Sequence, residues 1–146
     1  MKSRILRDIT RYEMYGNFTS IYELENGILT IGRYKYDIEI EPPPTELKKL
    51  DPKKYEKLDG IYRKISCYHA ELFLEPNGVI KVVNKSKKNS AFIERNRDKF
   101  KIDGIEQLFE DDILILEEYK LKLEFMDQIA KENLGRKLIE QETTLV

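Results

Sequence analysis

Apolar and polar residues alternate along much of the chain, which is the pattern of β-strands with one buried face. In KLKLEF, Leu121, Leu123 and Phe125 share one face, and the charged residues between them share the other. Similar short segments recur through the sequence: AELFL, VIKVV, SAFIE, KFKI and DILIL. Many short strands separated by turns predict an all-β sandwich or barrel.

Turn residues between these segments predict how the strands are connected. YELENGILTIG is interpreted as two strands joined at residues 26–27, and AELFLEPNGVIKVVN as two strands joined at residues 77–78. Both turns are Asn-Gly, a strong hairpin signal between apolar runs because both residues tolerate positive φ. A third hairpin is predicted where two glutamates at 117–118 join DILIL to KLKLEF.

Three stretches depart from the strand pattern and set the predicted domain limits. Residues 1–16 form an N-terminal extension whose apolar residues have helical spacing, which predicts an amphipathic helix packed on the domain. Residues 17–126 are the predicted sandwich, which contains a charged insert at 41–64. The insert opens with three prolines, which exclude a central strand, and its remainder is predicted to form one or two helical turns. Residues 127–146 are predicted to be a C-terminal helix, capped by Asp127, and a tail.

Composition narrows the class of protein. The 146 residues are 40% hydrophobic and 36% charged, which is typical of one globular domain with a heavily charged surface. The formal net charge of -1 provides no overall basic field for nucleic acid. A single cysteine, no membrane-length apolar run and no secretory signal together predict a cytoplasmic protein. Abundant Lys, Glu and Ile without Trp suggest a heat-adapted source.

The segment KISCYHAEL contains the only histidine and the only cysteine, and three kinds of site compete to explain it. For a nucleophile with its base, Ser66 and His69 are three apart in a strand-like segment and point to opposite faces. For a metal site, Cys67 and His69 supply two ligands where a closed zinc site needs four. No nucleotide-binding glycine loop occurs. We therefore predict no catalytic residue, no metal and no cofactor, and the protein is not expected to be an enzyme.

An anion-binding loop agrees better with the surrounding sequence. Gly32-Arg33 ends a predicted strand, and arginine suits phosphate because its planar fork donates two parallel hydrogen bonds. Ser66 and neighbouring backbone amides would complete the cradle. Asn89 lies in a polar loop before the next strand, and its side chain can donate and accept hydrogen bonds at once.

The order of these elements resembles the forkhead-associated (FHA) domain. G-R at a strand end is followed by D-I-x-I, S-x-x-H-A, an asparagine loop and L-x-x-D-D-I-x-I, across residues 18–126. The resemblance implies an antiparallel β-sandwich of about eleven strands. It also implies a module that binds phosphothreonine peptides through loops at one end.

The resemblance implies a role for each matching residue. Arg33 would hold the phosphate of the phosphothreonine, and Ser66 would hydrogen-bond to it. His69 would brace the binding loop from behind, and Asn89 would hold the peptide backbone beside the phosphothreonine. Three further residues would be structural, among them a turn-forming aspartate: Gly32, Asn84 and Asp112.

This chain departs from the family's pattern in two places that bear on binding. Where the family usually has Asn-Gly-Thr, this chain has Asn89-Ser90-Ala91, which alters the loop that shapes peptide specificity. Cys67 stands where many members have Arg or Asn, so one phosphate contact is lost, and Lys88 is a candidate to replace it.

Basic residues are concentrated in and beside the proposed loops, where they would form a basic face: Arg33, Lys35, Arg63, Lys64, Lys85, Lys87 and Lys88. The insert would emerge at the same end, where it would rim the site, fold over it or, as we prefer, add partner surface. The expected partner is a phosphothreonine-containing protein in signalling, either a kinase or a kinase substrate. No membrane association is expected. Two alternatives remain open: a degenerate scaffold that binds protein without phosphate, and nucleic-acid binding through the basic face.

The C-terminal sequence QETTLV adds a hypothesis about self-association. Thr143 and Thr144 follow a glutamate, and the resemblance implies that phosphothreonine after acidic residues is a ligand of this class. A phosphorylated Thr143 or Thr144 would then dock on Arg33 and Ser66, within one chain or between two. The C-terminal helix offers a second route to self-association.

Overall fold

The computed structural model of the chain describes residues 3–15, 21–34 and 37–126. Within these residues eleven strands and three helices occur. The strands are β1 (Ser3–Asp8), β2 (Ile21–Leu24), β3 (Gly27–Gly32), β4 (Ile38–Glu39), β5 (Ala70–Leu74), β6 (Ile80–Asn84), β7 (Ala91–Arg95), β8 (Asp98–Lys101), β9 (Ile105–Leu108), β10 (Ile113–Leu116) and β11 (Tyr119–Met126). The helices are α1 (Ile9–Tyr15), α2 (Thr45–Leu50) and α3 (Pro52–Arg63).

The strands form two sheets that pack face to face, which confirms the predicted all-β sandwich. One sheet has the order β2-β1-β11-β10-β7-β8, and the other has the order β4-β3-β5-β6-β9. The strand pairs are antiparallel except for the short β3–β4 pair, which is parallel. Alternate residues of both sheets fill one core, which includes Leu6, Ile31, Leu72, Val82, Leu114 and Leu121.

The N-terminal extension is helical only in part, because its first half is a strand of the sandwich. Residues 3–8 form β1, which pairs with β11 on one side and β2 on the other, and only residues 9–15 are helical. Ile5 and Leu6 are neighbours in a strand and so face opposite sides of the sheet, yet both are fully buried. A strand buried on both faces loses the period-two signal, so its apolar residues matched helical spacing instead.

The hairpin predictions had mixed outcomes. The turn at 77–78 joins β5 to β6, and that at 117–118 joins β10 to β11, and both pairs are antiparallel neighbours as predicted. The prediction at 26–27 is wrong as a hairpin, because β2 and β3 lie in different sheets. Gly27 does have positive φ, at 116°, so the turn forms but carries the chain across the sandwich.

The insert contains more helix than predicted. Two helices, α2 and α3, take up most of it, and Asp51 between them accepts a hydrogen bond from the Lys54 backbone N–H at 3.2 Å. Pro52 occupies the first position of α3, where its missing N–H costs nothing. Leu47 and Leu58 are buried in the common core, so the insert is packed on the sandwich.

Two further predictions concern the C-terminal residues and the membrane. The predicted C-terminal helix and tail, 127–146, lie outside the described residues. Among the residues that the structure describes, none of the helices has the length and apolar character needed to span a bilayer.

Candidate functional site

The end of β3 is pressed against the loop that precedes β5. A Cβ atom added to Gly32 would lie 1.8 Å from the Cys67 carbonyl oxygen and 2.6 Å from its carbonyl carbon, so only glycine fits. Beside this contact, the Arg33 N–H donates to the Ser66 carbonyl at 3.3 Å. The close approach therefore holds Arg33 and Ser66 in adjacent segments of backbone.

Arg33 presents a charge that no described carboxylate neutralises. Its guanidinium carbon lies 5.6 Å from the centre of the Tyr62 ring, on α3. Its Nε is buried and makes no hydrogen bond with any described residue. Since no described carboxylate neutralises its charge, the guanidinium is suited to an incoming anion with several acceptor oxygens.

A network of hydroxyl and amide groups joins the loop before β5 to the loop after β6. Ser66 Oγ lies 2.5 Å from Ser86 Oγ, and Asn89 Nδ2 donates to Ser66 Oγ at 2.9 Å. Ser86 Oγ also accepts from the Asn89 backbone N–H at 2.9 Å. Asn84 closes the second loop from both sides, because its Oδ1 accepts from the Ser86 N–H and its Nδ2 donates to the Asn89 carbonyl, each at 3.1 Å.

His69 is fully buried behind this network and connects three segments. Its Nδ1 accepts from the Ser66 N–H at 3.1 Å, so the ring proton is on Nε2, which donates to the Ser90 carbonyl at 3.0 Å. Burial lowers the pKa of His69, which keeps the ring neutral in this arrangement. Its backbone N–H donates to the Ile31 carbonyl, and its carbonyl accepts from the Lys85 N–H, which ties β3, β5 and β6 together.

The β10–β11 turn completes the site from a fourth direction. The Ser90 N–H donates to Glu117 Oε1 at 2.5 Å, and the Glu117 N–H donates to the Ser90 carbonyl at 2.9 Å. Four segments therefore meet at one end of the sandwich, which we call the loop end: residues 32–34, 64–69, 84–90 and 117–118. Cys67 and Lys88 are exposed there.

Solved FHA domains superpose on this chain over most of its length. The FHA domain of the CT664 protein from Chlamydia trachomatis has a TM-score of 0.58 at 15% identity, and the match covers 84% of this chain and 96% of that one. An FHA domain from Arabidopsis thaliana has a TM-score of 0.58 at 16% identity, and covers 87% and 88%. The chain has the FHA fold.

A third structure with the FHA fold was solved with a ligand. The yeast Dun1 FHA domain, in complex with a doubly phosphorylated peptide derived from Rad53, has a TM-score of 0.53 at 16% identity. The match covers 86% of this chain and 75% of that one. No protein-family model matches the sequence, and no curated protein does either.

Three of the six described basic residues of the predicted set, at the loop end of this FHA fold, are paired with carboxylates. Arg63 bonds Asp59 at 2.8 Å, Lys64 bonds Glu118, and Lys85 lies 3.8 Å from Glu71. Within the described residues, three members of the set have no carboxylate partner: Arg33, Lys87 and Lys88. The predicted basic face is therefore reduced to a narrow cationic area. Lys35 lies outside the described residues, as do Thr143 and Thr144.

Three residues at or beside the loop end of the FHA fold were not predicted from the sequence to belong to the site. Ser86 lies between Ser66 and Asn89 in the network, Glu117 holds both backbone groups of Ser90, and Tyr62 stacks beside Arg33. Ser86 carried a weak local signal, because an asparagine two residues before a serine is typical of a turn. The other two come from segments distant in sequence, and their position depends on the tertiary fold.

Proposed function

We propose that the chain is a non-catalytic module that binds phosphothreonine peptides at the loop end and so mediates phosphorylation-dependent protein association. One observation carries the proposal: the Arg33 guanidinium has no described anionic partner, in a loop held directly against Ser66. The FHA fold adds support, because the yeast Dun1 domain of that fold was solved with a phosphorylated peptide.

The hydroxyl network supplies a second donor for phosphate. Ser86 Oγ accepts from the Asn89 N–H, and it can donate its own proton to Ser66 Oγ. Ser66 Oγ then accepts from both Ser86 and Asn89 Nδ2, and its own proton remains free for a phosphate oxygen. Chains of this kind polarise one another, so the free hydroxyl is a stronger donor than an isolated serine.

Surrounding residues would contact the rest of the ligand. Lys88 and Cys67 are exposed at the rim, where the lysine supplies a point charge for phosphate. Asn89 retains an Oδ1 that can accept from a peptide N–H, since its Nδ2 donates to Ser66. Ser90 is fixed through its backbone by His69 and Glu117, so it would shape the loop that reads neighbouring peptide residues.

The partner in this proposal is a phosphothreonine-containing protein, either a kinase or a kinase substrate. The C-terminal tail is one candidate ligand. A tail phosphorylated on Thr143 or Thr144 would bind Arg33 and Ser66 in the same chain or in a second copy.

The test is binding of a degenerate phosphothreonine peptide library to wild type and to Arg33→Ala, with phosphoserine and unphosphorylated libraries in parallel. Charge-assisted hydrogen bonds contribute about 1.5–3 kcal/mol each, so Arg33→Ala should weaken binding at least about tenfold. Lys53→Ala is the matched control, because it removes an exposed cation in the first turn of α3, outside the loop-end residues, and should change affinity little.

Three other outcomes would contradict the proposal. Equal binding of unphosphorylated peptide would favour the scaffold alternative. Binding to nucleic acid that falls steeply with salt, without a preference for phosphothreonine, would favour the nucleic-acid alternative. A folded wild type, by circular dichroism, that binds none of these ligands would direct attention to the insert as an interface.

A further inference from the structure

The insert is held in place beside the loop end. Arg11 Nη2 donates to the Glu41 and Pro42 carbonyls, both at 2.7 Å, which holds the start of the insert against α1. At its other end, Lys64 forms an ion pair with Glu118 in the β10–β11 turn. Between these ties the buried side chains of α2 and α3 enter the core of the sandwich. A helix held at both ends and in the middle presents its side chains in constant positions.

One of these side chains, Tyr62, faces the candidate phosphate site. Its ring centre lies 5.6 Å from the Arg33 guanidinium carbon, within the range of a cation–π contact. Burial raises the pKa of Tyr62 against the opposing effect of Arg33, so the phenol stays neutral. A neutral ring leaves the full charge of Arg33 available for an anion, which a carboxylate in the same position would neutralise.

The ring is also the contact by which the structure restrains the Arg33 guanidinium. No ion pair joins that group to another described residue, and its buried Nε has no acceptor among them. A free arginine side chain samples many rotamers and loses that freedom when it binds a ligand. A guanidinium that is already ordered before binding avoids part of this loss.

We propose that Tyr62 is a positioning residue for phosphate recognition, and that its ring holds the Arg33 guanidinium ready for the phosphate. This role rests on the proposed function, since it concerns the same site. It makes α3 of the insert one wall of that site. Arg33 and Tyr62 are separated by most of the insert in sequence, and the fold brings them together.

Three variants separate the ring from its hydroxyl and from the stability of α3. Tyr62→Phe keeps the ring, and Tyr62→Leu removes it. Tyr55→Leu is the matched control, because Tyr55 lies on the same helix, packs on the core of the sandwich and contacts a cation, Lys48, at 5.7 Å. The ligand is the tightest phosphothreonine peptide from the library, with the unphosphorylated peptide beside it.

We expect Tyr62→Leu to weaken phosphopeptide binding about five- to tenfold, as the loss of a partly desolvated cation–π contact predicts. Tyr62→Phe and Tyr55→Leu should stay within about twofold of wild type. In an Arg33→Ala background, Tyr62→Leu should cause no further loss, because the ring then has no guanidinium to hold. The order parameter of the Arg33 Nε–H, measured by NMR without ligand, should fall in Tyr62→Leu and persist in Tyr62→Phe.

Each opposite result overturns the role. Wild-type affinity and an unchanged Arg33 order parameter in Tyr62→Leu would exclude positioning by the ring. Equal losses in Tyr62→Leu and Tyr55→Leu would mean that α3 acts only through stability, and a Tyr62→Phe as weak as Tyr62→Leu would assign the effect to the hydroxyl. If wild type binds no phosphothreonine peptide, the proposed function fails and this role with it, whereas the preceding results overturn the role alone.

Discussion

Ser86 is the residue through which Ser66 and Asn89 are connected. Its hydroxyl lies 2.5 Å from Ser66 Oγ and accepts from the Asn89 N–H at 2.9 Å. Without this hydroxyl, the Asn89 N–H loses its acceptor and Ser66 loses one of the donors that leave its own proton free. The side chain that orders the network is therefore one that need not touch the ligand.

Ser86→Ala should weaken phosphothreonine-peptide binding about five- to tenfold, the scale of one or two net hydrogen bonds. Fluorescence polarisation with a labelled peptide measures the loss, and thermal unfolding checks that the chain remains folded. Ser90→Ala is the control, because Ser90 is held through its backbone and its hydroxyl has no bond in the network. A Ser86→Ala that binds as tightly as wild type would show that Ser66 is ordered without Ser86.

At the scale of single residues, the sequence was sufficient to propose candidate site residues whose residue type and immediate neighbours suggest an anion site. Gly32 and Arg33 stand at a strand end, and Ser66 and Asn89 lie in polar loops, so their residue types alone suggested an anion site. Ser86 and Tyr62 were missed because each acts on a partner twenty or more residues away, across loops that only the folded sandwich brings together.

At the scale of elements, the junction of β1 and α1 contains a carboxyl group in the interior. Asp8 is fully buried and accepts from the Arg11 N–H at 2.8 Å and from the Tyr119 hydroxyl at 2.5 Å. Burial raises its pKa from the ordinary value of 3.8 to about 6, although these hydrogen bonds act in the opposite direction. Through these hydrogen bonds Asp8 joins β1, α1 and β11. Its ionised form is destabilised by burial.

The sign of this cost gives a pH-dependent prediction. The folded state holds the Asp8 proton more tightly than the unfolded chain, so the free energy of unfolding falls as pH rises from about 4 to about 6. Two pH units of raised pKa correspond to about 3 kcal/mol. Asp8→Asn cannot ionise, so its stability relative to wild type should rise by up to that amount over the same range and then remain constant.

Urea unfolding of both proteins between about pH 4 and pH 7 measures the difference. Other groups contribute equally to both and cancel. They include His69, whose lowered pKa makes stability decline as pH falls below 6.5. A difference that does not change with pH would mean that Asp8 ionises as readily in the folded chain as in the unfolded one.

The elements themselves were predictable where one face of a strand is exposed. β5, β6 and β11 alternate clearly, and their hairpins followed from the turn residues. β1 was missed because both of its faces are covered, and the turn at 26–27 was assigned to the wrong strand pair. Turn chemistry determines that the chain reverses, but which strand lies beside the next is decided by packing of the two sheets.

At the scale of the whole molecule, the distribution of charge does not favour general binding of polyanions. The chain has a formal net charge of -1, and three of the basic residues near the loop end are paired with carboxylates. A protein that neutralises few phosphates gains little from counterion release. The charge distribution therefore favours a single phosphate group with its peptide over a nucleic-acid backbone.

The distance between Met126 and the loop end determines whether the tail can reach the candidate site of its own chain. β11 starts beside the loop end and runs eight residues to Met126, so its last residue lies about 23 Å away at the opposite end. Thr144 follows Met126 by eighteen residues, and an extended chain of that length reaches roughly 60 Å. Binding within one chain is therefore sterically possible.

Protein prepared with phosphate on Thr144 should bind an external phosphothreonine peptide at least about tenfold more weakly than unmodified protein, because a tethered ligand competes at millimolar effective concentration. Competition within one chain would not depend on protein concentration, whereas competition between chains would. Deletion of residues 141–146 should restore the affinity. Unchanged affinity in all three proteins would exclude the tail as a ligand.

The contact between Gly32 and Cys67 has a practical consequence. It fixes the backbone of Cys67 beside Arg33, while the thiol of this single cysteine remains exposed. The wild-type chain thus carries one attachment point for a thiol-reactive fluorophore, at the edge of the candidate phosphate site. If the proposed function holds, a dye placed there would report occupancy of the candidate site without the removal of any competing cysteine.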